Sequence, residues 1–321
     1  MLLYTLRRLL NLIPMLFGIT VISFVIIQLS PGDFLAEMRM NPVISQQTVD
    51  QMRRNFGLDQ SLLTQYWRWL LNAVRLDFGY SFAFQVPVTW LIGSRLLNSV
   101  ILNVVSFAVG WMVAVPLGIF AARRQYSLAD NTLSFAAYVG ISTPTFFTGL
   151  FLLFWAYKTG WFPIGGMTSI DYEFFTPLQK ILDIGWHLFL PGVVLSVLSV
   201  AGLMRQMRAS LLETLRQDYV RTARAKGIAE RTVINKHAVR NAINPLITIF
   251  GFSLGGLLGG SAILENIIGW PGIGKLIVDA TLQKDLYVVM ASLVFGSVTL
   301  VAGNLIADVL LAMSDPRIRY D

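Results

Sequence analysis

The chain has 321 residues, of which 55% are hydrophobic and 13% are charged, roughly half the charged fraction of a soluble domain. This composition excludes a soluble protein and indicates an integral membrane protein. The net charge of +7 does not indicate nucleic-acid binding, because the basic residues cluster beside apolar segments, where membrane topology places them. Since the sequence has no cysteine, disulfides and thiolate chemistry are excluded as well.

Six apolar segments approach the roughly 20 residues that about 30 Å of hydrocarbon requires of a helix. These predicted spans are residues 9–29, 99–122, 133–157, 189–204, 246–264 and 288–313. Lys and Arg concentrate in the segments that are cytoplasmic if the amino terminus is inside. We therefore expect an all-α membrane protein with six transmembrane helices and both termini in the cytoplasm.

The segment 30–97 is the largest predicted external piece. Four of its apolar residues recur at helical spacing and predict one apolar face of a short helix: Leu63, Trp67, Leu70 and Val74. A turn is expected at 76–79 and a strand at 82–88, after which Pro87 would open a short interfacial helix. Two interpretations stay open, a lid over the helical bundle and a contact surface for an external partner.

The segment 205–245 is hydrophilic and basic, with nine Lys/Arg against three acidic residues. Spacings of three and four residues place a set of side chains on one helix face: Leu212, Leu215, Tyr219 and Thr222. Gly227 stands where this helix should stop, because glycine takes a left-handed conformation without penalty. A second helix is expected from about residue 229 to 242, ending near Pro245.

The segment Gly269 to Lys275 fits the start of a phosphate-binding loop, G-x-x-x-x-G-K, but Leu276 stands where the magnesium-binding hydroxyl should be. It also follows a membrane span and is expected on the external side. A glycine-rich turn followed by a short helix is the better interpretation. The two histidines, His187 and His237, lie in distant segments, so no metal site is expected.

The predicted spans contain no interior Lys or Arg, which argues against a proton-coupled carrier with its chain of intramembrane charges. Polar residues that could line a translocation path are sparse, and helix packing is the competing interpretation for them. The candidates are Asn103, Ser106, Ser142, Thr143, Pro144, Ser196, Ser199 and Glu265.

The sequence Asp218 to Gly227, D-Y-V-R-T-A-R-A-K-G, resembles the EAA loop of ABC-importer permeases. It departs from the general pattern, because Arg221 replaces the glutamate and the closing proline comes only at Pro245. The loop and the later H-A-V-R-N-A are similar to the variant of the oligopeptide/dipeptide/nickel permease family. Further segments resemble the first ("B-type") subunit of that family, namely 7–9, 26–33, 66–69, 78–81, 205–208 and 265–274.

This resemblance implies a type I ABC-importer permease fold in a bacterial inner membrane. It divides the chain into residues 1–29 with the first span, an external loop region at 30–97, a five-helix permease core at 98–313 that includes the coupling loop 205–245, and a cytoplasmic tail at 314–321. The implied partners are the lipid bilayer, a second homologous permease subunit, two cytoplasmic ATPase subunits and an external substrate-binding protein. Nucleic acid is not among them.

The resemblance also implies that the chain is not an enzyme and holds no cofactor or metal, since ATP and Mg²⁺ would bind to the partner subunits. The implied ATPase-coupling residues are Asp218, Tyr219, Arg221, Thr222, Ala223, Arg224, Ala225, Lys226, Gly227, Glu230, Arg231, His237, Arg240 and Asn241. Peptides are the expected cargo, with nickel chelates, glutathione and oligosaccharides as alternatives. An ATP-independent channel or secondary carrier is the alternative of a different class.

Overall fold

The computed structural model describes residues 2–29, 35, 39, 45–55, 57–256 and 262–314. Within these ranges the regular structure is helical, and no strand is present. The helices are α1 (Leu2–Leu29), α2 (Gln46–Asn55), α3 (Leu62–Val74), α4 (Val88–Arg123), α5 (Leu128–Ser142), α6 (Thr145–Thr159), α7 (Pro177–Thr214), α8 (Asp218–Ala225), α9 (Glu230–Thr232), α10 (Val239–Ala242), α11 (Asn244–Gly256), α12 (Ala262–Ile268), α13 (Ile273–Leu282) and α14 (Leu286–Ser314). A π-helix, Val233–Ala238, joins α9 to α10.

Four helices in the described ranges are long and apolar enough to cross a membrane: Leu10–Leu29, Val88–Arg123, Pro177–Thr214 and Leu286–Ile306. They account for the predicted spans 9–29, 99–122, 189–204 and 288–313. Residues 257–261 of the predicted fifth span lie outside the described residues, as do 30–34 and 36–38 of the external region and 315–321 of the tail. A membrane-spanning helical protein is therefore confirmed, while the number of six spans stays a prediction.

The prediction of one continuous span at 133–157 was wrong. Helices α5 and α6 meet at a bend of 106°. The chain breaks at Pro144, which caps α6 in an extended conformation and has no N–H with which to continue α5. The pair is thus a broken span or a re-entrant hairpin.

Helices α4 and α7 are much longer than their predicted spans, with 36 and 38 residues. Pro87 precedes the first turn of α4, but the prediction of a separate short helix there was wrong, because that stretch is the start of the continuous helix Val88–Arg123. A capping box formed by Thr176 and Gln179 begins α7. Each helix is more than 50 Å long at about 1.5 Å per residue, so both extend well beyond the ~30 Å hydrocarbon layer. They pack closely side by side, since a methyl group on Gly118 would collide with Met204 and Met207.

In the external region the helix α3 forms as predicted, but the predicted apolar face is turned outward. Tyr66 and Trp69 are its buried residues, whereas Leu63 and Val74 are largely exposed. The periodicity was ambiguous because the helix is apolar on two sides. Residues 82–88 form a tight turn with one isolated bridge between Tyr80 and Pro87, so the strand prediction was wrong.

A buried hydrophobic cluster joins this external region to the bundle. It contains residues from α1, α3, α4, α13 and α14: Phe24, Tyr66, Trp69, Phe78, Val88, Leu91, Ile92, Ile273, Leu276, Ala280, Leu286, Val288, Val289, Met290 and Ala291. The fully buried Asp285 fixes the turn, because its carboxylate accepts hydrogen bonds from the Ser81 hydroxyl (2.6 Å) and the Ala83 amide (3.0 Å). The external region is therefore packed onto the helical bundle.

Candidate functional site: the coupling segment

The segment 205–245 contains the end of α7, up to Thr214, and then two helices, α8 and 230–242, on either side of a turn. Gly227 ends the first helix with φ +73°, the left-handed conformation that was predicted from its position. Its N–H donates to the Arg224 carbonyl (2.9 Å), and the N–H of Ile228 donates to the Ala223 carbonyl. The second helix covers residues 230–242, within one residue of the predicted bounds, although its central π-helical turn was not predicted.

The first helix begins later than the apolar spacing predicted. Helix α7 ends at Thr214 and α8 begins at Asp218, so the residues from Leu212 to Thr222 do not share one helix face. Tyr219 and Thr222 are exposed, and the buried residues of α8 are Val220 and Ala223. The prediction that residues 212–222 form one face was therefore wrong.

The buried face of α8 packs against the ends of the long helices. Val220 and Ala223 belong to a cluster whose other buried members are Ala122, Met207, Leu211, Val233, Ala238, Ala242 and Leu246. These residues come from α4, α7, the 230–242 helix and α11, so α8 is fixed to several membrane helices at once. Its opposite face is exposed.

A salt bridge closes the turn at Gly227. The Arg224 guanidinium donates two hydrogen bonds to the Glu230 carboxylate, Nη2 to Oε1 at 2.7 Å and Nε to Oε2 at 3.1 Å. Hydrogen bonding from Arg224 holds the pKa of Glu230 below its ordinary value. Because both side chains are substantially exposed, the pair contributes more to the geometry of the turn than to stability.

A second side-chain bond joins the two helices. The Asn241 amide donates to the Tyr219 hydroxyl at 2.9 Å, across 22 residues of sequence. Together with the Arg224 pair, it holds α8 and the 230–242 helix in one arrangement. The sequence indicated both residues as site residues but not that they touch.

The structure places most of the predicted coupling residues at exposed positions of α8, the turn and the 230–242 helix. Ala223 is buried and His237 is half-buried, while the others are exposed: Asp218, Tyr219, Arg221, Thr222, Arg224, Ala225, Lys226, Gly227, Glu230, Arg231, Arg240 and Asn241. Arg221 is 70% exposed and only loosely paired with Asp218, at 3.5 Å. The described residues contain no group of His, Asp or Glu that could hold a metal ion. The exposed side chains of this segment are predominantly basic.

One further pair of charges joins α7 to α5. Arg208 on α7 donates two hydrogen bonds to Asp130 in the first turn of α5, Nε to Oδ1 at 2.6 Å and Nη2 to Oδ2 at 2.7 Å. Asp130 is almost completely buried. This pair was not predicted, and no local signal in the sequence marks it, because the partners lie 78 residues apart.

Three of the candidate path residues lie where α4 packs against α7. Ser106, Ser196 and Ser199 lie on α4 and α7, and each hydroxyl donates to a carbonyl of its own helix. The Asn103 amide nitrogen is buried and makes no hydrogen bond within the part of the chain that the structure describes. Ser142, Thr143 and Pro144 lie at the break between α5 and α6. A role for these residues in a path stays a prediction.

Glu265 is fully buried, and its carboxylate is hydrogen-bonded within the chain. Its carboxylate accepts hydrogen bonds from the Ser99 hydroxyl (2.7 Å) and from the Lys275 amide (3.1 Å) in the first turn of α13. Negative charge at a helix amino terminus is favourable. The segment that resembles a phosphate-binding loop thus binds a carboxylate of its own chain, and the short helix predicted after it is confirmed.

The comparisons with known proteins agree along the whole chain. Residues 114–320 match the family described as binding-protein-dependent transport system inner membrane component, and residues 1–103 match the corresponding N-terminal family. The chain belongs to this family of membrane permeases.

Individual relatives extend the match over nearly the full length. The chain is 44% identical over 319 residues to the oligopeptide transport system permease protein AppB of Bacillus subtilis (strain 168), covering 99% of both chains. It is 36% identical over 321 residues to the glutathione transport system permease protein GsiC of Escherichia coli (strain K12), covering 100% of both.

Proposed function

We propose that this chain is the transmembrane subunit of an ATP-driven importer that carries peptides across a bacterial inner membrane. Two relatives support this cargo. One is named as a permease of an oligopeptide transport system and the other as a permease of a glutathione transport system, and the chain matches 99% and 100% of their lengths. Glutathione is itself a modified tripeptide, so the two names describe related chemistry.

In the proposed assembly the chain has six transmembrane helices, counting the bent pair α5–α6 as one, and both termini lie in the cytoplasm. A second, homologous permease subunit completes the translocation path. Two cytoplasmic ATPase subunits bind ATP and Mg²⁺, and an external binding protein delivers the peptide to the region 30–97. The basic residues of the coupling segment support its cytoplasmic location.

The observation that carries the proposal is the two-faced character of α8. Its eight residues form a rod of roughly 12 Å, exposed and basic on one side and buried among the ends of α4 and α7 on the other. A groove on the ATPase with acidic residues would receive Arg221 and Lys226. Movement of the ATPase would then reach α4 and α7 through Val220 and Ala223, and α5 through the Arg208–Asp130 pair.

The test is co-purification of the tagged chain from its native membrane in mild detergent. We expect two ATPase subunits and a second permease subunit. The double variant Arg221→Glu/Lys226→Glu should lose the ATPases and keep the second permease, because charge reversal opposes acidic partners. Arg54→Glu, at an exposed position in α2, is the matched control and should retain all partners.

A chain that purifies as a homo-oligomer without ATPases would contradict the importer and support a channel. Loss of the permease along with the ATPases would indicate unfolding rather than loss of coupling. The cargo is tested separately, by titrating the binding protein encoded beside this chain with di- and oligopeptides, glutathione, nickel chelates and oligosaccharides. Tightest binding of a ligand other than a peptide would reject the peptide cargo alone.

A further inference from the structure

A cavity of about 450 Å³ lies between α5 and α7. Its lining includes Tyr138 of α5 and Gly202, Arg205, Gln206 and Arg208 of α7. Gly202 leaves room in it, because nothing lies within 4 Å of the position that a Cβ of this residue would occupy. Within the described part of the chain, two guanidinium groups and no carboxylate line the cavity. What it can bind therefore depends on how far these two charges are neutralised.

The two arginines differ in how their charge is balanced. Arg208 is neutralised by Asp130, to which its guanidinium donates hydrogen bonds of 2.6 and 2.7 Å. Arg205 forms no ion pair among the residues that the structure describes. Its guanidinium lies over the Tyr138 ring, 4.6 Å from the ring centroid. This cation–π contact orients the side chain but does not neutralise it, so one positioned guanidinium keeps its charge available for a ligand.

Contacts place the cavity where α4 ends and α5 begins. A methyl group on Gly118 of α4 would collide with Met204 and Met207 of α7, on either side of the cavity arginines. Gly118 lies only about 8 Å along α4 from its last residue, Arg123. The bond to Asp130 places the same part of α7 beside the first turn of α5. The cavity is therefore on the side of the coupling segment, where Lys and Arg concentrate.

Helix α7 relates this level to the membrane. Its apolar stretch 189–204 ends directly before Arg205. At the other end Phe162 is stacked between Trp186 and Phe189, with ring centroids 4.7 Å from each. Trp186 lies about 28 Å from Arg205 along the helix, close to the ~30 Å thickness of the hydrocarbon layer. Aromatic residues at one boundary and Arg at the other are typical of a membrane helix, so Arg205 lies at the level of lipid headgroups.

One turn deeper in the membrane, the same faces of α5 and α7 are apolar. Ile141 lies three residues after Tyr138, and Leu198 lies four residues before Gly202, so each continues the face that lines the cavity. Both side chains are exposed. The site is therefore cationic at the headgroup level and apolar beyond it.

We propose that this cavity, which we call the Arg205 cavity, binds the headgroup of an anionic phospholipid, with an acyl chain along Ile141 and Leu198. Guanidinium groups bind phosphate through paired N–H donors, and basic cavities between membrane helices on the cytoplasmic side bind anionic headgroups. A free anion would use the guanidinium alone, whereas a phospholipid uses both parts of the site. The inference is independent of the cargo and of ATPase coupling, and the proposed orientation enters only in assigning the lipid to the inner leaflet.

The test is lipid binding by the purified complex, this chain with the subunits that co-purify with it, in mild detergent. Phosphatidylglycerol is titrated in the presence of excess phosphatidylcholine, which occupies unspecific sites, and the bound lipid is counted by native mass spectrometry. The Arg205→Gln complex should hold one tightly bound phosphatidylglycerol fewer, because losing a hydrogen bond between charged groups weakens binding about tenfold or more. Arg216→Gln, at an exposed position in the turn after α7, is the matched control and should bind as the natural chain does. Equal numbers in the Arg205→Gln and natural complexes would overturn the proposal.

A second pair of variants leaves the charge unchanged. Gly202→Leu fills the Arg205 cavity and should lose the same lipid. Gly185→Leu, toward the other end of α7, is its control and should retain the lipid, since a Cβ there also meets nothing within 4 Å. Leucine is more favourable than glycine inside a helix, so both variants are expected to fold, and their melting temperatures without added lipid check this. Retention of the lipid by a folded Gly202→Leu complex would contradict the proposed site.

Two competitors separate a phospholipid from other anions. Inorganic phosphate has the charge of the headgroup without an acyl chain, and glutathione offers peptide carboxylates. Neither, in large excess, should displace the phosphatidylglycerol that depends on Arg205. Displacement by inorganic phosphate would identify a site for free anions, and displacement by glutathione would identify part of the translocation path. Either result would overturn the lipid proposal.

Discussion

Single residues determine the shape of the coupling surface. Gly227 turns the chain between α8 and the 230–242 helix with φ +73°, and nothing lies within 4 Å of the position that a Cβ would occupy. The requirement for glycine is therefore one of backbone conformation and not of space. Such positions can be predicted from sequence, because a glycine at the end of an amphipathic pattern has few other uses.

The variant Gly227→Val should insert normally and lose most uptake. A β-branched residue is strained in the left-handed region by about 1–2 kcal/mol or more, so the turn that aligns α8 with its neighbour opens. Substrate uptake is measured in cells after the amount of membrane-inserted protein has been equalised.

The matched control is Gly185→Val, on the helical backbone of α7, where a Cβ also meets nothing within 4 Å. It should retain uptake. Uptake by Gly227→Val equal to that of this control would count against a role for the turn.

Which side chains touch at this surface was much harder to predict. Tyr219 and Thr222 have the spacing of an inward face, yet Val220 and Ala223 are buried, since α8 begins only at Asp218. The spacing rule assumes a continuous helix, and three residues of turn shift the face. The Arg208–Asp130 pair shows the same limit, because its partners come together only through the packing of α7 on α5.

At the scale of elements, the junction between α12 and α13 depends on close packing around one carboxylate. A methyl group on Gly272 would collide with the Glu265 carboxylate and the Ser99 hydroxyl, and one on Gly274 would lie 2.5 Å from the Ala262 Cα. The two glycines admit Glu265 to the amino terminus of α13. The sequence predicted a glycine-rich turn and a helix here, but not the buried carboxyl group that the glycines accommodate.

The variant Gly272→Ala should be destabilised although its backbone conformation is available to alanine. Overpacking costs about 1–3 kcal/mol, and here it also displaces the hydrogen bonds of Glu265. The melting temperature of the purified protein in detergent should fall relative to Gly93→Ala on α4, where a methyl group meets nothing within 4 Å. Equal melting temperatures would show that Glu265 can move without cost.

Helices were predicted well where a long apolar segment indicated them. They were predicted poorly where a single proline determined whether the helix continues. The long apolar segments gave α1, α4, α7 and α14. The predicted span 133–157 includes Pro144, and prolines also stand inside continuous helices here, Pro116 in α4 and Pro191 in α7. Whether a proline is accommodated or breaks the helix depends on neighbouring helices, which the sequence does not specify locally.

At the scale of the whole molecule, the orientation of the chain can be tested directly. A cysteine at Ile170, which is 100% exposed, should react with a membrane-impermeant maleimide in intact cells. A cysteine at the exposed Lys226 should react only after the membrane is opened, because the coupling segment is proposed to be cytoplasmic. Reversed labelling would overturn the proposed topology.

These two positions leave the hydrogen bonds of the chain intact. Ser169 would be a poorer choice outside, because its amide donates to the Asp183 carboxylate at 2.8 Å. Arg224 would be a poorer choice inside, because it pairs with Glu230. Loss of labelling at either site thus reports accessibility and not a disturbed fold.

The Asp285 carboxylate has a consequence for the biogenesis of this chain. It binds Ser81 and Ala83 across more than 200 residues of sequence, at the start of the last membrane helix. During synthesis the turn that follows α3 leaves the ribosome long before its partner exists. The region 30–97 therefore cannot complete its contact with Asp285 until the start of α14 has been synthesised, and a nascent chain that stalls before residue 285 leaves Ser81 and Ala83 without this partner.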